Sequence, residues 1–202
     1  MSQPHNVTLA WTGASGMPYG VRLLEQLLYA NAGVYLLVST AAQIVAKQEM
    51  GWTIPAHTEA LQAQLAERYA HLPGEVRVFG REAWFAPMAS GSNPADAMVI
   101  CPCTMGTLAA VAQGMSDNLI ERAADVCIKE QRKLIVVPRE TPFSVLHLEN
   151  MLKLARMGVV ILPPNPGFYH QPKSVEDLVD FVVARILDHL QVPHNLMIRW
   201  GE

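Results

Sequence analysis

Three basic residues in the second half of the sequence have the types and spacing to bind a phosphate group. Arg122 and Lys129 are seven residues apart in one predicted helix, hence on nearly the same face, and Arg139 follows the next apolar run. Arginine offers a planar pair of donors and lysine a compact charge, which suits an anion whose negative charge grows as it leaves. The alternative is a solvated helix face on which Asp125 pairs with one of these cations, and for the cluster in isolation we favour it.

Two carboxylates are candidates for moving protons. Glu140 lies between a buried run and Pro142, where burial and the neighbouring Arg139 would act on its proton affinity in opposite directions. Glu49 comes at the end of an apolar predicted helix. Either side chain would serve equally well as a cap for nearby backbone. The residues alone therefore leave the roles of acid, base and cap open.

A glycine-rich turn near the start predicts a second phosphate site. Residues 7–20 (VTLAWTGASGMPYG) read as a buried strand, a loop and a helix with Pro18 at its first position. Gly13 and Gly16 allow a positive φ or a close backbone approach, and the turn would direct free N–H groups at a ligand. The spacing is neither G-x-G-x-x-G nor a P-loop, which favours a mononucleotide over a dinucleotide or ATP. A turn that needs glycine only for packing is the alternative.

Apolar runs alternate with amphipathic segments along the chain, which predicts one α/β domain over residues 1–202. Strands are expected at 7–11, 34–38, 97–100, 133–138 and 158–162, with helices between them at 41–49, 58–70, 118–130, 144–157 and 174–190 among others. In the helix at 41–49, Ile44 and Val45 are expected to point inward. Continuous apolar strands are typical of a doubly wound parallel sheet, Rossmann-like or flavodoxin-like, with helices on both faces.

Ligands of such sheets bind outside the carboxyl ends of the strands. The residues expected to line that crevice are Gly13 to Ser15, Ser39, Thr104 to Thr107, Arg139 and Glu140. Residues 80–94 (GREAWFAPMASGSNP) break the periodicity, and their mixture of aromatic, serine, glycine and proline residues predicts a functional loop.

Composition narrows the class of protein. The chain has 202 residues, 50% of them hydrophobic and 16% charged, which is enough for one well-buried core without a disordered tract. A net charge of −3 argues against a nucleic-acid or anionic-membrane surface. We find no basic-then-apolar leader and no apolar run long enough to span a membrane, so a cytoplasmic location is expected. The three cysteines and seven histidines lack metal-binding spacing, so we assign no metal site and expect buried thiols.

Three stretches resemble the flavin prenyltransferase (UbiX) family, a group of flavodoxin-like flavoproteins. They are TGASG followed by PYG at 12–20, CPCTMGTLAAVAQGMSDNLIERAADVCIKE at 101–130, and VVPRETPFSVLHLENM at 136–151. The resemblance implies a metal-independent reaction in which dimethylallyl phosphate alkylates reduced FMN and a fourth ring closes across the flavin N5 and C6 atoms. It also implies that the prenylated FMN passes to a decarboxylase of the ubiquinone or aromatic-acid pathway type. Large homo-oligomers with sites at subunit interfaces are a further implication.

The resemblance also implies a role for each candidate residue. FMN would be held by Gly13, Ala14, Ser15, Ser39, Thr104, Met105, Gly106, Thr107 and Arg139. Dimethylallyl phosphate would meet Trp84, Ser90, Gly91, Arg122, Lys129, Arg139, Glu140, Tyr169 and Arg185. The catalytic residues would be Ser15, Glu49, Arg122, Lys129 and Glu140. Glu140 would handle protons at N5 and the phosphate, Ser15 would relay them, and Glu49 would remove the C6 proton. An aromatic face, Trp84 or less favourably Trp200, would stabilise allylic cation character.

Two other functions stay open. An FMN-dependent decarboxylase of cysteine-derived substrates shares the fold and the Pro-x-x-x-x-Thr-Leu-Ala element, but it uses a histidine that the segment 41–49 lacks. A non-catalytic FMN carrier would need the glycine loop without the convergence of Arg122, Lys129, Arg139 and Glu140.

Overall fold

Six parallel strands form one sheet in the order β3-β2-β1-β4-β5-β6 in the computed structural model, which describes residues 5–197 and residue 201. The strands are β1 Asn6–Trp11, β2 Gly33–Val38, β3 Glu75–Phe79, β4 Ala97–Cys103, β5 Lys133–Pro138 and β6 Val160–Ile161. This is the Rossmann strand order, in which the chain winds away from β1 in one direction and from β4 in the other. The doubly wound parallel sheet predicted from the sequence is therefore confirmed, and its switch point lies between β1 and β4.

Helices cover both faces of this sheet. They are α1 Met17–Tyr29, α2 Thr40–Met50, α3 Thr58–Arg68, α4 Met105–Gln113, α5 Leu119–Lys129, α6 Val145–Arg156 and α7 Val175–Leu190. Val7, Leu9 and Trp11 of β1 pack in one core with residues of α1, α3 and α7. Ala10, which points to the opposite face, packs in a second core with α4, α5 and α6. Burial on both faces explains why the strands read as continuous apolar runs. No helix in the described ranges is long and apolar enough to cross a membrane.

Two features depart from the sequence expectations. Strand β3 was not predicted, because at the sheet edge its exposed charged residues alternate with buried or half-buried valines instead of forming a continuous apolar run. Its Glu75 and Arg77 pair with each other at 3.0 Å on the exposed side. The inward orientation of Ile44 was wrong, since that side chain is 60% exposed. Ala42 and Ala46 are instead the buried residues of α2.

Helix α1 packs very closely on the sheet at Gly20. A Cβ atom at this position would lie 2.4 Å from the carbonyl oxygen of Cys101 and 2.8 Å from the indole of Trp11. The indole is fully buried and makes an edge-to-face contact with Trp52, at 5.8 Å between ring centroids. Neither the β4 backbone nor the locked tryptophan can move aside cheaply. Gly20 therefore sets the distance between α1 and the strands at the switch point.

The thiols are buried in this packing, as the sequence predicts. Cys101 and Cys103 lie in β4 and Cys127 in α5, and all three are free. Burial raises the pKa of Cys103 and of Cys127 to about 12, and it raises the pKa of Cys101 as well. Thiolates are scarce at neutral pH at such pKa values, so these residues serve packing and not nucleophilic chemistry.

Replacing Gly20 with alanine tests the close crossing. In an open helix this change would stabilise by about 1 kcal/mol, but here overpacking should destabilise by about 1–3 kcal/mol. Urea unfolding of Gly20→Ala and wild type measures the difference as a shift of the midpoint at constant m-value. Gly80→Ala is the matched control, because its new Cβ would meet only the Thr58 methyl at 3.8 Å. Equal midpoints for Gly20→Ala and wild type would contradict the close approach.

Candidate active site

A threonine hydroxyl joins the two strands at the switch point. Thr12, the first residue after β1, is almost fully buried. Its hydroxyl donates to the carbonyl oxygen of Pro102 at 2.8 Å and accepts from the backbone N–H of Thr104 at 2.8 Å. Its own N–H donates to the same Pro102 carbonyl at 3.2 Å. The loop after β1 and the loop after β4 are thus held at a fixed separation. Thr12 was not among the predicted site residues, although a small polar residue directly after a buried strand is a usable signal.

Two predicted cofactor-binding loops lie side by side next to the hydrogen bonds of Thr12. A Cβ on Gly13 would sit 2.3 Å from the Cβ of Ala41, so the first loop packs directly against the start of α2. Ser39 caps α2 by accepting from the N–H of Ala42 at 3.1 Å. Gly13, Ala14 and Ser15 are therefore neighbours of Ser39, with Ser15 exposed to solvent.

The third cofactor-binding segment is the first turn of α4. Thr104 caps this helix, accepting from the N–H of Thr107 at 3.1 Å and donating to the Thr107 hydroxyl at 2.9 Å. The cap leaves the N–H groups of Met105 and Gly106 for another acceptor, because the first turn of a helix has none of its own. A Cβ on Gly106 would meet nothing nearer than 4.0 Å, so the backbone there is open to close approach by a ligand.

Arg139 supplies an unpaired donor at the same edge of the sheet. It follows β5, and its backbone N–H donates to the carbonyl oxygen of Cys103 at 3.3 Å, next to the Thr104 cap. Its side-chain Nε is buried and has no hydrogen-bond partner among the residues that the structure describes. Buried donors are normally satisfied, so this atom calls for an acceptor from a ligand. The phosphate, ribityl and ring oxygens of FMN are such acceptors, and the residues around the switch point fit this group. Glu140 stands next to Arg139 and accepts from the N–H of Thr141 at 3.1 Å.

The N–H groups at the start of α1 already have an acceptor. The carboxylate of Glu49 accepts from the N–H of Gly16 at 3.0 Å and from that of Met17 at 2.8 Å. A carboxylate is favourable at a helix N-terminus, where unpaired N–H groups and the helix dipole converge. Our expectation of free N–H groups in this turn is therefore corrected. Gly16 does adopt the positive φ that was expected, 120°. Glu49 lies directly beside the loop that carries Ser15.

A second group of predicted residues lies along α5. Arg122 donates from Nε to the carbonyl oxygen of Ala89 at 3.0 Å and from a terminal nitrogen to Asp125 at 2.8 Å. The helical ion pair that the sequence offered as an alternative is thus present. Lys129 pairs with Glu130, and a Cβ on Gly91 would lie 2.5 Å from the lysine amine.

The loop of residues 80–94 therefore packs on the basic face of α5. This loop brings Ser90 and Gly91 beside Arg122 and Lys129. It also carries Trp84, which is about half exposed, and Phe85, which is fully exposed.

A third group surrounds a cavity of about 680 Å³ beside α7. Tyr169 and Arg185 both line it, and the Tyr169 ring meets the Phe181 ring edge-to-face at 5.8 Å between centroids. Another cavity, of about 450 Å³, lies beyond the ends of β2 and β3 and includes Thr40, Gln43 and Arg81. Trp200, the second choice for the aromatic face, lies outside the described residues.

The predicted site residues thus fall into three groups. The hydrogen bonds and ion pairs described for Arg122, Lys129 and Arg185 join each of them to residues of its own group. The phosphate clamp of Arg122, Lys129 and Arg139 consequently stays a prediction. Among the same residues, no cluster of three or more His, Cys, Asp or Glu side chains is arranged to hold a metal ion.

Comparison with known proteins gives this arrangement a context. A family model described as Flavoprotein matches residues 1–187. The flavin prenyltransferase UbiX of Pseudomonas aeruginosa is 58% identical over 202 residues, covering 100% of this chain and 97% of the relative.

Two solved structures are similar over almost their whole length. AnUbiX in complex with FMN and dimethylallyl pyrophosphate is 38% identical, covers 99% of each chain and has a TM-score of 0.86. A dodecameric FMN-dependent UbiX-like decarboxylase from Escherichia coli is also 38% identical, covers 98% of this chain and 100% of its own, and has a TM-score of 0.86.

Replacing Thr12 with valine tests the hydrogen bonds by which its hydroxyl joins the loops after β1 and β4. Valine keeps the volume but leaves the Thr104 N–H without its acceptor, so we expect a loss of about 1–3 kcal/mol in unfolding free energy. The loosened loops should also weaken FMN binding by about tenfold, measured by fluorescence titration.

Thr8→Val is the control for this substitution. Thr8 is equally buried in β1, and its hydroxyl has no hydrogen-bond partner among the described residues. Its replacement should leave stability and FMN affinity unchanged or slightly improved. The same result for both variants would show that the Thr12 hydrogen bonds contribute nothing to either property.

Proposed function

Because this chain belongs to the flavin prenyltransferase (UbiX) family of flavoproteins, we propose that it transfers a dimethylallyl group from dimethylallyl phosphate to reduced FMN at N5 and C6. The protein is a prenyltransferase with FMN as its flavin. The observation that carries this conclusion is 58% identity to a flavin prenyltransferase along the full chain. This relationship favours prenyl transfer over both alternatives, decarboxylation of cysteine-derived substrates and a carrier without catalysis.

FMN is assigned to the residues around the switch point. Reduced FMN supplies the two nucleophilic ring atoms of the reaction. Its polar groups would be held by Gly13, Ala14, Ser15, Ser39, Thr104, Met105, Gly106, Thr107 and Arg139. The unpaired Nε of Arg139 and the open first turn of α4 support this assignment, because both require an acceptor-rich ligand.

The donor phosphate is assigned to the basic residues. Breaking the carbon–oxygen bond leaves the electron pair on phosphate, so fixed cations stabilise the leaving group more as the bond lengthens. Arg122, Lys129, Arg139 and Arg185 would supply this charge, and Ser90, Gly91 and Tyr169 would add polar contacts. The half-exposed Trp84 would face the prenyl carbons, where an aromatic ring stabilises positive charge.

Three residues are assigned to proton movement. Glu140, next to the flavin-binding Arg139, would take the proton from N5 and donate to the departing phosphate. The exposed hydroxyl of Ser15 would relay protons between the ligands and Glu49 or Glu140. Glu49 would remove the C6 proton, and its hydrogen bonds to Gly16 and Met17 support this role because they fix the carboxylate beside the Ser15 loop.

We further propose a homo-oligomer in which a neighbouring subunit completes the site. Tyr169 and Arg185 of one copy would then meet the α5 group or the switch point of another copy. Exposed apolar residues support self-association: Val145, Leu148 and Leu152 form a stripe on α6, and Phe85 projects from the loop 80–94. A dodecamer is known for the E. coli structure with 38% identity.

Three finer points belong to the same proposal. Residues 1–202 form one domain, which the single sheet with its two cores supports. The location is the cytoplasm, where free thiols such as Cys101, Cys103 and Cys127 stay reduced. A prenylated-FMN-dependent decarboxylase takes up the product, because the modified flavin has no further use in a transferase.

An anaerobic assay tests the activity directly. The purified protein is mixed with reduced FMN and dimethylallyl phosphate, and the flavin is weighed by mass spectrometry. We expect its mass to increase by one prenyl unit, with release of one phosphate per flavin. Parallel reactions with the diphosphate donor determine which leaving group is preferred, since the similar AnUbiX structure contains dimethylallyl pyrophosphate. An unchanged flavin mass with both donors would reject the function, and decarboxylation of a cysteinyl peptide would support the first alternative.

Replacing Glu49 with glutamine separates ring closure from release of the phosphate. Glutamine keeps an oxygen that accepts from the N–H groups of α1, but it has no carboxylate to take a proton. We expect phosphate release to continue while the yield of cyclised flavin falls by about two orders of magnitude or more. Glu67→Gln, an exposed carboxylate on α3, is the control and should behave like wild type. A normal yield of cyclised flavin from Glu49→Gln would show that another group removes the C6 proton.

A further inference from the structure

The guanidinium of Arg185 is held by a carboxylate one turn further along α7. A terminal nitrogen of Arg185 donates to Oδ2 of Asp188 at 2.6 Å. Half of the arginine side chain is exposed to the cavity beside α7, whereas 28% of the aspartate side chain is exposed. Asp188 therefore restrains the arginine from the protein side and leaves the rest of its planar fork facing the cavity.

A buried histidine fixes the other oxygen of this carboxylate. His194 Nε2 lies 3.1 Å from Oδ1 of Asp188, and only 3% of the histidine side chain is exposed. The backbone N–H of Leu196 donates to His194 Nδ1 at 3.4 Å, so Nδ1 carries no proton. The ring proton is then on Nε2, which donates to Asp188. Each oxygen of the carboxylate has its own donor.

The end of α7 explains how His194 reaches back to Asp188. Gln191 has a left-handed conformation with φ 59°, and the N–H of Val192 closes the turn on the carbonyl oxygen of Leu187 at 3.0 Å. Val192 is buried in the core, which anchors the returning chain. The turn at Gln191 and the anchored Val192 thus bring the imidazole of His194 against the carboxylate of Asp188.

We propose that Asp188 and His194 are positioning residues that hold Arg185 in the orientation that binds the phosphate of the prenyl donor. The inference rests on the proposed function, in which Arg185 contacts that phosphate. An arginine side chain has several rotatable bonds, and a restrained guanidinium loses less entropy when it forms paired hydrogen bonds to an anion. Holding Arg185 in this orientation should therefore increase the affinity for the prenyl donor and leave the rate of the reaction at the flavin unchanged.

A double-mutant cycle between Asp188→Asn and Arg185→Ala tests the proposal with the full-length protein. In the wild-type background Asp188→Asn should raise KM for dimethylallyl phosphate by about tenfold with kcat nearly unchanged. In the Arg185→Ala background, where KM is already high, Asp188→Asn should change it by less than about twofold. His194→Phe, which keeps the ring volume and removes the donor, should raise KM in the same direction, and His194→Gln, which keeps a donor, should restore part of the loss.

Asp180→Asn is the matched control for a structural effect. Asp180 lies on the same helix and pairs with Arg22 through two hydrogen bonds at 2.7 and 3.1 Å, away from the cavity. Its replacement should lower thermal stability and leave KM unchanged. Equal KM increases from Asp188→Asn in both backgrounds would overturn the positioning role. A wild-type KM in Arg185→Ala itself would instead refute the assignment of Arg185 to the donor phosphate, and that outcome is distinct from the first.

Discussion

The hydroxyl of Thr12 is the contact on which the geometry of the site depends. Strands β1 and β4 pair as far as Ala10 and Ile100, and beyond this point the Thr12 N–H donates to the Pro102 carbonyl oxygen. The Thr12 hydroxyl extends this connection to the following loop by accepting from the Thr104 N–H and donating to the same Pro102 carbonyl. Since Thr104 also caps α4, the position of the glycine loop is tied directly to the open first turn of that helix. A flavin that touches both loops meets a surface whose shape is set before it binds.

The residues proposed to carry the chemistry lie on three surfaces of the described chain. In the proposed function the flavin binds at the switch point, the α5 face carries two cations beside the loop of residues 80–94, and α7 carries Arg185 beside its own cavity. A reaction that needs several positive charges around one phosphate cannot bury them all in one core, because unpaired buried charge is costly. In the proposed homo-oligomer, cations that lie on exposed faces would be brought together at an interface, which would solve this problem. Three of these cations pair with a nearby carboxylate of the same chain: Arg122 with Asp125, Lys129 with Glu130 and Arg185 with Asp188.

Much of the fold could be predicted because a strand that is buried on both faces of the sheet consists of a continuous run of apolar residues. Strands β1, β2, β4 and β5 are continuous apolar runs, and the serine and threonine caps of α2 and α4 stand where the helices begin. Strand β3 was not predicted because an edge strand needs apolar residues on only one face, so its sequence is not a continuous apolar run. Ile44 was misplaced because helical periodicity alone does not tell how closely a helix packs on its neighbours. Local pattern could not indicate that Glu49 would occupy the start of α1 either, because that contact joins residues more than thirty positions apart.

The central claim is that FMN occupies the crevice between the loops after β1 and β4. A crystal structure of the protein with bound FMN tests this most directly. The flavin is expected to contact residues 13–15 and 104–107 together, with Arg139 Nε donating to one of its oxygens. A flavin bound in the cavity lined by Tyr169 and Arg185, or beyond the ends of β2 and β3, with the switch point empty, would contradict the claim.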